Sequence, residues 1–240
     1  MCTRAHLAEV AKTEDLHEKP GHSSCDKLKP QGAVPVNRTE KYDCLLFDIG
    51  GVLFEVCSAP KILEWMDNKV SNEEINNIWL FSKAVRSYES GLISSEVFAE
   101  SVIEELKLSV SAEKFLEEFV GFIKGPYPGV EELLKNLSRK YTVACLSNTN
   151  ELHWKRLCDD FNFDKMIKRS FLSFKTGFMK PDPEAYRHVI SEMACEPSRI
   201  LFFDDNRVNV EAARRAGMDA FHVSGFADVK RKLLDIGIIN

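Results

Sequence analysis

Apolar strands and amphipathic helices alternate along the C-terminal half of the sequence. The predicted elements, in chain order, are a helix at Val130–Lys140, strands at Thr142–Leu146 and Ile200–Phe203, a helix at Val208–Ala216, a strand at Ala220–Val223 and a helix at Val229–Ile236. Gly217 directly follows one of these helices, at the position where glycine commonly ends a helix. Strands that alternate with helices predict an α/β fold with a parallel sheet that carries helices on both faces.

The first strand is predicted upstream, where the apolar run at 42–47 ends in Asp48 and a pair of glycines. Between residues 59 and 124 the pattern is helical throughout, and serines occupy the predicted helix N-caps: Ser71, Ser94 and Ser111. A stretch rich in glycine and proline, at 125–129, then ends the helical region. The helical region is therefore an insert that follows the first strand.

The predicted domain boundaries follow from these patterns. Residues 41–58 and 125–240 form the α/β core, and residues 59–124 form a helical cap inserted into it. Residues 1–40 are polar, contain several prolines and lack a sustained period, which predicts a disordered N-terminal tail.

Composition narrows the range of possible partners. The 240 residues are 44% hydrophobic and 29% charged, as in ordinary globular proteins. With 32 Lys and Arg against 37 Asp and Glu, the net charge is −5, which argues against a nucleic-acid partner. The apolar runs are too short for a membrane span, no secretory signal is recognisable, and the 7 cysteines lack paired spacing. We therefore expect a reduced, cytoplasmic protein without a membrane partner and, as its oligomeric state, a monomer or a dimer.

Polar side chains follow the predicted strands at the points where each strand ends. Asp48 follows the first strand, Ser147 and Asn148 follow another, and Asp204 and Asp205 follow a third. Because ligands bind beyond the carboxyl ends of parallel strands, we expect these side chains to face one crevice. Taken singly, Asp48 and Ser147 also fit an ordinary role in a turn or a helix cap.

The charges at this crevice indicate the kind of ligand. Asp204 and Asp205 repel each other unless a cation lies near them, and hard carboxylate oxygens suit Mg²⁺. The hydroxyl and amide donors of Ser147 and Asn148 suit phosphate oxygens. Lys180 lies on a loop just before a predicted helix, where it can neutralise a phosphate or keep a nucleophilic carboxylate ionised.

The combination is more specific than its parts. In order and spacing, Asp48, Ser147, Lys180 and the Asp204–Asp205 pair resemble the haloacid dehalogenase-like superfamily, in the branch whose cap is inserted after the first motif. The resemblance covers most of the chain beyond the tail and implies a three-layer, Rossmann-like parallel sheet core with an inserted α-helical cap. Four phrases are most similar to sugar-1-phosphate phosphatases and to the phosphatase domain of epoxide hydrolases: FDIGGVLFE, LSNTN, GFMKPDPEAY and FFDDNRVNVEAA. The cap phrase YESGLIS also resembles the sugar-1-phosphate phosphatases.

The resemblance implies a role for each motif residue. Asp48 corresponds to the nucleophile of that family and Lys180 to its lysine, while Ser147 and Asn148 would bind the phosphate. The implied Mg²⁺ ligands are Asp48, the Gly50 carbonyl, Asp205 and Asp204. The implied activity is Mg²⁺-dependent hydrolysis of a small phosphate monoester, a sugar phosphate above others, through an aspartyl-phosphate on Asp48.

One position departs from the usual phosphatase motif. There, a second aspartate shortly after the nucleophile protonates the leaving group, but here that position is Gly50. A positioned general acid contributes about 10²–10⁴-fold to the rate. Either the leaving group departs readily, another group or water supplies the proton, or the activity is weak. Glu55 and Glu89 are possible substitutes, although solvation of Glu55 and helix-end packing of Glu89 are the simpler interpretations.

Other functions compete with this one. The 2-haloacid dehalogenases of the same superfamily also lack the second aspartate, but they need no metal, so the Asp204–Asp205 pair argues against dehalogenation. A non-catalytic relative would use the crevice to bind a metabolite or a partner, and Gly50 keeps this alternative open. For the leading interpretation, the expected partner is a small phosphorylated metabolite.

Overall fold

The computed structural model describes residues 41–67 and 70–240. Its strands, in chain order, are β1 (Cys44–Phe47), β2 (Phe54–Val56), β3 (Ile123–Pro126), β4 (Thr142–Ser147), β5 (Arg169–Leu172), β6 (Ile200–Asp204) and β7 (Asp219–His222). A parallel sheet has the strand order β5-β4-β1-β6-β7, and β2 pairs with β3 as a separate antiparallel ladder. β1 therefore lies at the centre of the parallel sheet, between β4 and β6.

The helices divide into those of the insert and those of the core. The insert contains α1 (Ala59–Trp65), α2 (Asn72–Phe81), α3 (Lys83–Glu89), α4 (Ser95–Leu106) and α5 (Ala112–Val120). The core contains α6 (Val130–Leu137), α7 (Glu151–Phe161), α8 (Phe163–Met166), α9 (Ser173–Thr176), α10 (Pro183–Met193), α11 (Arg207–Arg215) and α12 (Phe226–Asp235). We refer to residues 59–122, which lie between β2 and β3, as the cap; β3 takes up the last two residues of the predicted range 59–124.

The central strand β1 is buried on both faces of the sheet. Leu45 and Phe47 pack into one hydrophobic cluster, to which α6, α7 and α12 contribute. Cys44 and Leu46 alternate with them and pack into a second cluster, to which α10 and α11 contribute. A strand covered by helices on both faces is typical of a parallel sheet, and the result is a three-layer core.

The cap has a hydrophobic core of its own, which is rich in aromatic side chains. Phe98 of α4 is fully buried and stacks on Tyr88 of α3, with ring centroids 4.4 Å apart. Phe98 also contacts Phe115 and Phe119 of α5 through tilted and edge-on ring contacts. Such ring pairs stabilise a small helical unit beyond the burial of area alone.

The predicted fold class is confirmed, and the predicted strands and helices of the core are present with ends that differ by a few residues. The hydroxyls of the predicted N-cap serines accept hydrogen bonds from backbone N–H groups, at Ser71, Ser94 and Ser111. Hydroxyl acceptors satisfy helix N–H groups that have no partner within the helix. Local sequence therefore specifies where these cap helices begin.

The structure differs from prediction at its short elements. The β2–β3 ladder was not expected, and β3 begins inside the stretch predicted to be helical. Glu55 and Val56 of β2 are exposed, and β3 ends in Gly125 and Pro126, so neither segment shows the alternation that marks a strand. The predicted N-terminal tail lies outside the described residues.

Membrane-spanning helices and disulfides are both absent from the described residues. Within the described residues, no helix combines the length and apolarity required to cross a membrane. The cysteines in the same part of the chain are free thiols: Cys44, Cys57, Cys145, Cys158 and Cys195.

Candidate active site

The predicted site residues meet at the carboxyl edge of the parallel sheet. Asp48 directly follows β1, Ser147 ends β4 and Asp204 ends β6. Because β1 pairs with β4 on one side and with β6 on the other, these three ends adjoin. The crevice expected from the alternating pattern is therefore present at this edge.

Asp48 is held with one carboxylate oxygen engaged. Its backbone N–H donates to the Phe203 carbonyl at 2.9 Å, which continues the β1–β6 pairing past the strand end. Its Oδ1 accepts from the N–H of Ile49 at 2.7 Å and lies 3.0 Å from Lys180 Nζ. Among the described residues, no hydrogen bond reaches Oδ2, and the side chain is 13% exposed. Oδ2 is thus the oxygen that can meet a ligand.

The electrostatic surroundings of Asp48 are strongly negative. Burial raises the pKa of Asp48 to about 7, and the charges of Asp204 and Asp205 act in the same direction. Lys180 opposes them, because its ammonium group favours the ionised carboxylate. A further cation at the site would keep Asp48 ionised, as a nucleophile requires.

Lys180 is a buried cation between carboxylates. Its Nζ lies 2.6 Å from Asp204 Oδ2 and 3.0 Å from Asp48 Oδ1. Burial alone would lower the pKa of Lys180, but Asp204 and Asp48 outweigh it and the pKa is raised. Lys180 is therefore charged and fixed beside Asp48.

Asn148 positions Lys180 through the backbone. Its Nδ2 donates to the Lys180 carbonyl at 2.9 Å, and the Lys180 N–H donates to Asn148 Oδ1 at 2.8 Å. Both ends of the Asn148 amide are thus engaged with the Lys180 loop. Ser147 lines the crevice and is almost fully buried, and within the described structure its hydroxyl donates one long hydrogen bond, 3.4 Å, to the Asn148 carbonyl.

The two adjacent acids have different surroundings. Asp204 is fully buried, and its oxygens accept from Lys180 Nζ, from Asn209 Nδ2 at 3.0 and 3.2 Å, and from the N–H of Asn206 at 2.8 Å. Asp205 is exposed at the cleft, although the surrounding protein and Asp204 still raise the pKa of Asp205. Of the two acids, Asp205 is therefore the one accessible from the cleft.

The three carboxylates form one cluster. Asp48, Asp204 and Asp205 each place an oxygen within 4.8 Å of the others. Within the described cluster, Lys180 supplies one positive charge against three carboxylates. The excess of negative charge suits a divalent cation with oxygen ligands.

Glycine is required beside Asp205. Gly51 has a φ of +70°, and a Cβ built on it would lie 2.2 Å from Asp205 Oδ2. Any other residue would therefore displace the Asp205 carboxylate. Gly50 has less strict surroundings, because an added Cβ would meet the Val56 side chain at 3.0 Å.

Two adjoining cavities cover Asp48, with volumes of about 300 and 310 Å³. Both are lined by Asp48, Asn148 and Asp205 from the core and by Trp79 and Glu89 from the cap. One of them is closed further by the side chains of Phe119 and Phe122. The leaving group of a bound ester would thus lie between aromatic side chains.

Few site residues were predicted in the cap, and the structure places one cap residue, Glu89, at the site. Glu89 is the last residue of α3 and lines both cavities above Asp48, which differs from the helix-end packing expected for it. Glu55 is exposed on β2, as expected. Trp79 and Phe119 were not expected at the site, and no local pattern distinguishes them from other core aromatics.

The cap is anchored to the core beside these cavities. His153 of α7 donates Nε2–H to the Phe119 carbonyl at 2.8 Å, because a carbonyl can only accept. Its Nδ1 then accepts from the Asn150 amide at 3.2 Å, and its ring stacks on Phe119 at 4.2 Å. Burial lowers the pKa of His153 to about 4, so this imidazole is neutral near pH 7.

Comparison with known proteins assigns the family. The model of the haloacid dehalogenase-like hydrolase family matches residues 42–217. The chain belongs to this family. The predictions that the chain is a member of this superfamily and a hydrolase are thereby confirmed. The matched range contains every predicted site residue.

Relatives within the family have named substrates. D-ribitol-5-phosphate phosphatase of Bacteroides thetaiotaomicron is 22% identical over 200 residues, which cover 79% of this chain and 95% of that protein. Flavin mononucleotide hydrolase 1 of Arabidopsis thaliana is 28% identical over 211 residues, or 85% of this chain and 81% of that protein. A HAD family enzyme of Bacteroides thetaiotaomicron, solved in complex with magnesium and inorganic phosphate, superposes with a TM-score of 0.63 at 26% identity, covering 75% of this chain and 93% of that one.

Proposed function

We propose that this chain is a Mg²⁺-dependent phosphatase that hydrolyses a small phosphate monoester through an aspartyl-phosphate on Asp48, with sugar phosphates as the favoured substrate class. The observation that carries the proposal is the ion network at the sheet edge. Lys180 lies between Asp48 and Asp204, while Asp205 is exposed and no hydrogen bond from the described residues reaches Asp48 Oδ2. A nucleophile, a fixed cation and free metal-type oxygens are the parts that phosphoryl transfer needs.

The donor set fits Mg²⁺. Three clustered carboxylates with one ammonium group leave negative charge that a hard divalent cation balances. The residues that would hold it are Asp48, the Gly50 carbonyl, Asp205 and Asp204. We expect Asp205 to contribute more than Asp204, because Asp204 already accepts hydrogen bonds on both oxygens. When bound, Mg²⁺ supplies positive charge that polarises the phosphoryl group.

The residues of the chain then divide the work as follows. Asp48 Oδ2 attacks phosphorus in line with the leaving oxygen, and water later hydrolyses the aspartyl-phosphate. Lys180 holds the transferring oxygens and balances their charge. The Ser147 hydroxyl and the Asn148 backbone N–H bind the phosphate, and the Asn148 side chain keeps Lys180 in position.

The relatives support the substrate class. Two of them are named for the hydrolysis of a ribitol phosphate and of flavin mononucleotide, both of which are small phosphate esters. The structural relative with magnesium and inorganic phosphate supports the same ligands here. Cavities of about 300 Å³ above Asp48 suit a leaving group of this size.

The competing functions are less well supported. Dehalogenation gives no reason for the cluster of Asp48, Asp204 and Asp205, since it needs no cation. A binding protein without activity remains compatible with Gly50, but it needs neither a charged Lys180 nor a free oxygen on Asp48.

Phosphate release from sugar phosphates, nucleotides and lipid phosphates tests the proposal, with Mg²⁺ or with EDTA. We expect turnover in Mg²⁺ and none in EDTA. Equal turnover in both would reject the metal site, and no turnover at all would favour a binding protein or a dehalogenase, which halide release from 2-haloacids would distinguish.

Asp48→Asn tests the nucleophile. Because an amide cannot form the acyl-phosphate, turnover of an aryl phosphate should fall by up to about 10⁶-fold. Asp235→Asn, an exposed position in α12, is the matched control and should keep wild-type turnover. Wild-type kcat in Asp48→Asn would show that another residue is the nucleophile.

A further inference from the structure

Among the described residues, the core lines the cavities with the carboxyl groups of Asp48 and Asp205, and both already have a proposed role. Gly50 stands where a phosphatase of this family usually carries its second aspartate, and glycine has no side chain to donate a proton. An alkoxide that departs without a proton leaves slowly, and a positioned acid accelerates such a step by about 10²–10⁴-fold. The proton must then come from water or from a group elsewhere around the cavities.

Glu89 is the carboxylic acid that the cap brings to the nucleophile. It lines both cavities above Asp48, together with Trp79 of the cap. The other acids that line them in the described part of the chain, Asp48 and Asp205, belong to the core and serve as nucleophile and metal ligand. Among the described residues, Glu89 is thus the acid on the cap side, where the leaving group of a bound ester would lie.

The backbone around Glu89 is fixed. Tyr88, its neighbour, stacks on Phe98 within the cap, with the ring planes 12° apart. Arg86 Nη2 lies 3.3 Å from Asp182 Oδ2 of the core. Gly91 passes so close to the core that an added Cβ would lie 2.3 Å from the Phe174 carbonyl oxygen. The end of α3 is therefore held against the core on both sides of Glu89.

The Glu89 carboxyl group is free to act. Among the described residues, none forms a hydrogen bond or an ion pair with it. Burial raises the pKa of Glu89 to about 7; Asp48 adds to this effect, whereas Lys180 and Arg86 oppose it. Near neutral pH a substantial share of the carboxyl group is therefore protonated, as proton donation requires.

We propose that Glu89 is a further catalytic residue, the general acid that protonates the leaving oxygen, an inference that rests on the phosphatase function proposed above. As the bond from Asp48 Oδ2 to phosphorus forms, the bond from phosphorus to the leaving oxygen breaks. The Glu89 proton passes to that oxygen, and the alcohol departs. The Glu89 carboxylate then takes a proton from the water that attacks the aspartyl-phosphate, which releases inorganic phosphate and restores both side chains.

Glu89→Gln tests this role, because glutamine keeps the shape of the side chain but cannot transfer a proton. The measured quantity is kcat/KM for alkyl phosphates and for nitrophenyl phosphate. We expect a loss of about 10²–10⁴-fold for the alkyl esters, whose alkoxide needs a proton. The loss should be less than about tenfold for the nitrophenyl ester, whose phenolate is stable without one. Glu100→Gln, exposed in α4 and away from both cavities, is the matched control and should keep both values.

The pH profile gives a second measurement. A general acid must be protonated, so wild-type kcat/KM for an alkyl phosphate should fall as pH rises through the pKa of Glu89. That fall should be absent in Glu89→Gln. The charged groups that face Glu89 (Asp48, Lys180, Arg86 and Asp205) are present in both proteins, so the difference between the two profiles reports Glu89.

The outcomes separate this role from the proposed function. Equal losses for both ester classes, or no loss for either, would overturn the role of Glu89 while leaving the phosphatase in place. Weaker Mg²⁺ binding by Glu89→Gln, measured by calorimetry, would also overturn it, because Glu89 would then be a metal ligand. A wild-type protein without Mg²⁺-dependent turnover would reject the phosphatase function and the role of Glu89 together.

Discussion

The core and the cap contribute different kinds of side chain to the same cleft. The core contributes charges, carried by residues at the ends of β1 and β6 and by a loop lysine: Asp48, Asp204, Asp205 and Lys180. The cap contributes aromatic side chains and one carboxyl group, from Trp79, Phe119, Phe122 and Glu89. The comparison indicates that the charges that could bind a metal and a phosphate lie on the core, while the residues that could contact the rest of a ligand lie on the cap.

The largest expected effect breaks the core side of this comparison. In Lys180→Met, Asp48 and Asp204 lose the ammonium group that lies between them. Removal of one partner from a buried ion pair costs about 3–5 kcal/mol, so the free energy of unfolding should fall by that amount and turnover should disappear. Denaturant unfolding and phosphate release measure the two effects. Lys135→Met, an exposed position in α6, should change neither, and a stable, active Lys180→Met would contradict the network.

A substitution that leaves a cavity in the hydrophobic core of the cap tests the cap side of this comparison. Phe98→Ala removes the ring that contacts Tyr88, Phe115 and Phe119, and such a truncation costs about 3–5 kcal/mol. Hydrogen exchange should accelerate in α3, α4 and α5, while amides of β1 and β6 stay protected. Val97→Ala, half exposed on the same helix, is the control. Equal acceleration in the sheet would mean that cap and core unfold as one unit.

The two adjacent acids sharpen the comparison within the core. Asp205→Asn should weaken Mg²⁺ binding by about tenfold or more, equivalent to about 1.4 kcal/mol, with little change in stability. Asp204→Asn should instead lower stability, because Asp204 accepts from Lys180, Asn206 and Asn209. Calorimetric titration and thermal unfolding distinguish the two variants. The reverse pattern would make Asp204 the principal metal ligand.

The smallest expected effect is a loss of stability at the start of α2. Ser71→Ala removes the hydroxyl that accepts the Glu74 N–H at the start of α2, at a cost of about 1 kcal/mol. Because Ser71 lines neither cavity above Asp48, kcat/KM should stay at the wild-type value. A clear fall in kcat/KM would show that α2 is coupled to the site more tightly than its packing suggests.

The elements and residues that could be predicted from the sequence are those marked by a recognisable local pattern of apolar and polar positions. Asp48, Lys180 and Asp205 were identified because each follows an apolar strand or precedes a helix at a recognisable spacing. The β2–β3 ladder was not, because Glu55 and Val56 are exposed and the partner strand contains glycine and proline. Short strands of this kind form through their pairing rather than through their own sequence.

The role of Glu89 shows a second limit. A glutamate at a helix end has the same local pattern whether it faces solvent or a cavity. Its position above Asp48 depends on how the cap packs on the core, through the Arg86–Asp182 ion pair and the Gly91 contact. For Asn148, the sequence predicted a position at the site but not the two hydrogen bonds between its side chain and the Lys180 backbone.

The pairing of β2 with β3 also bears on how such enzymes diversify. The chain leaves the core through β2 and returns through β3, and Glu55 lies opposite Gly125, so the two ends of the cap are neighbours in space. The closure entropy of a segment with adjacent ends rises only slowly with its length. A cap of another length or sequence could therefore be inserted between β2 and β3 without changing the geometry of the sheet or of Asp48. Replacement of the cap could thus change which ligand fits above Asp48 without altering the cluster of carboxylates at the sheet edge.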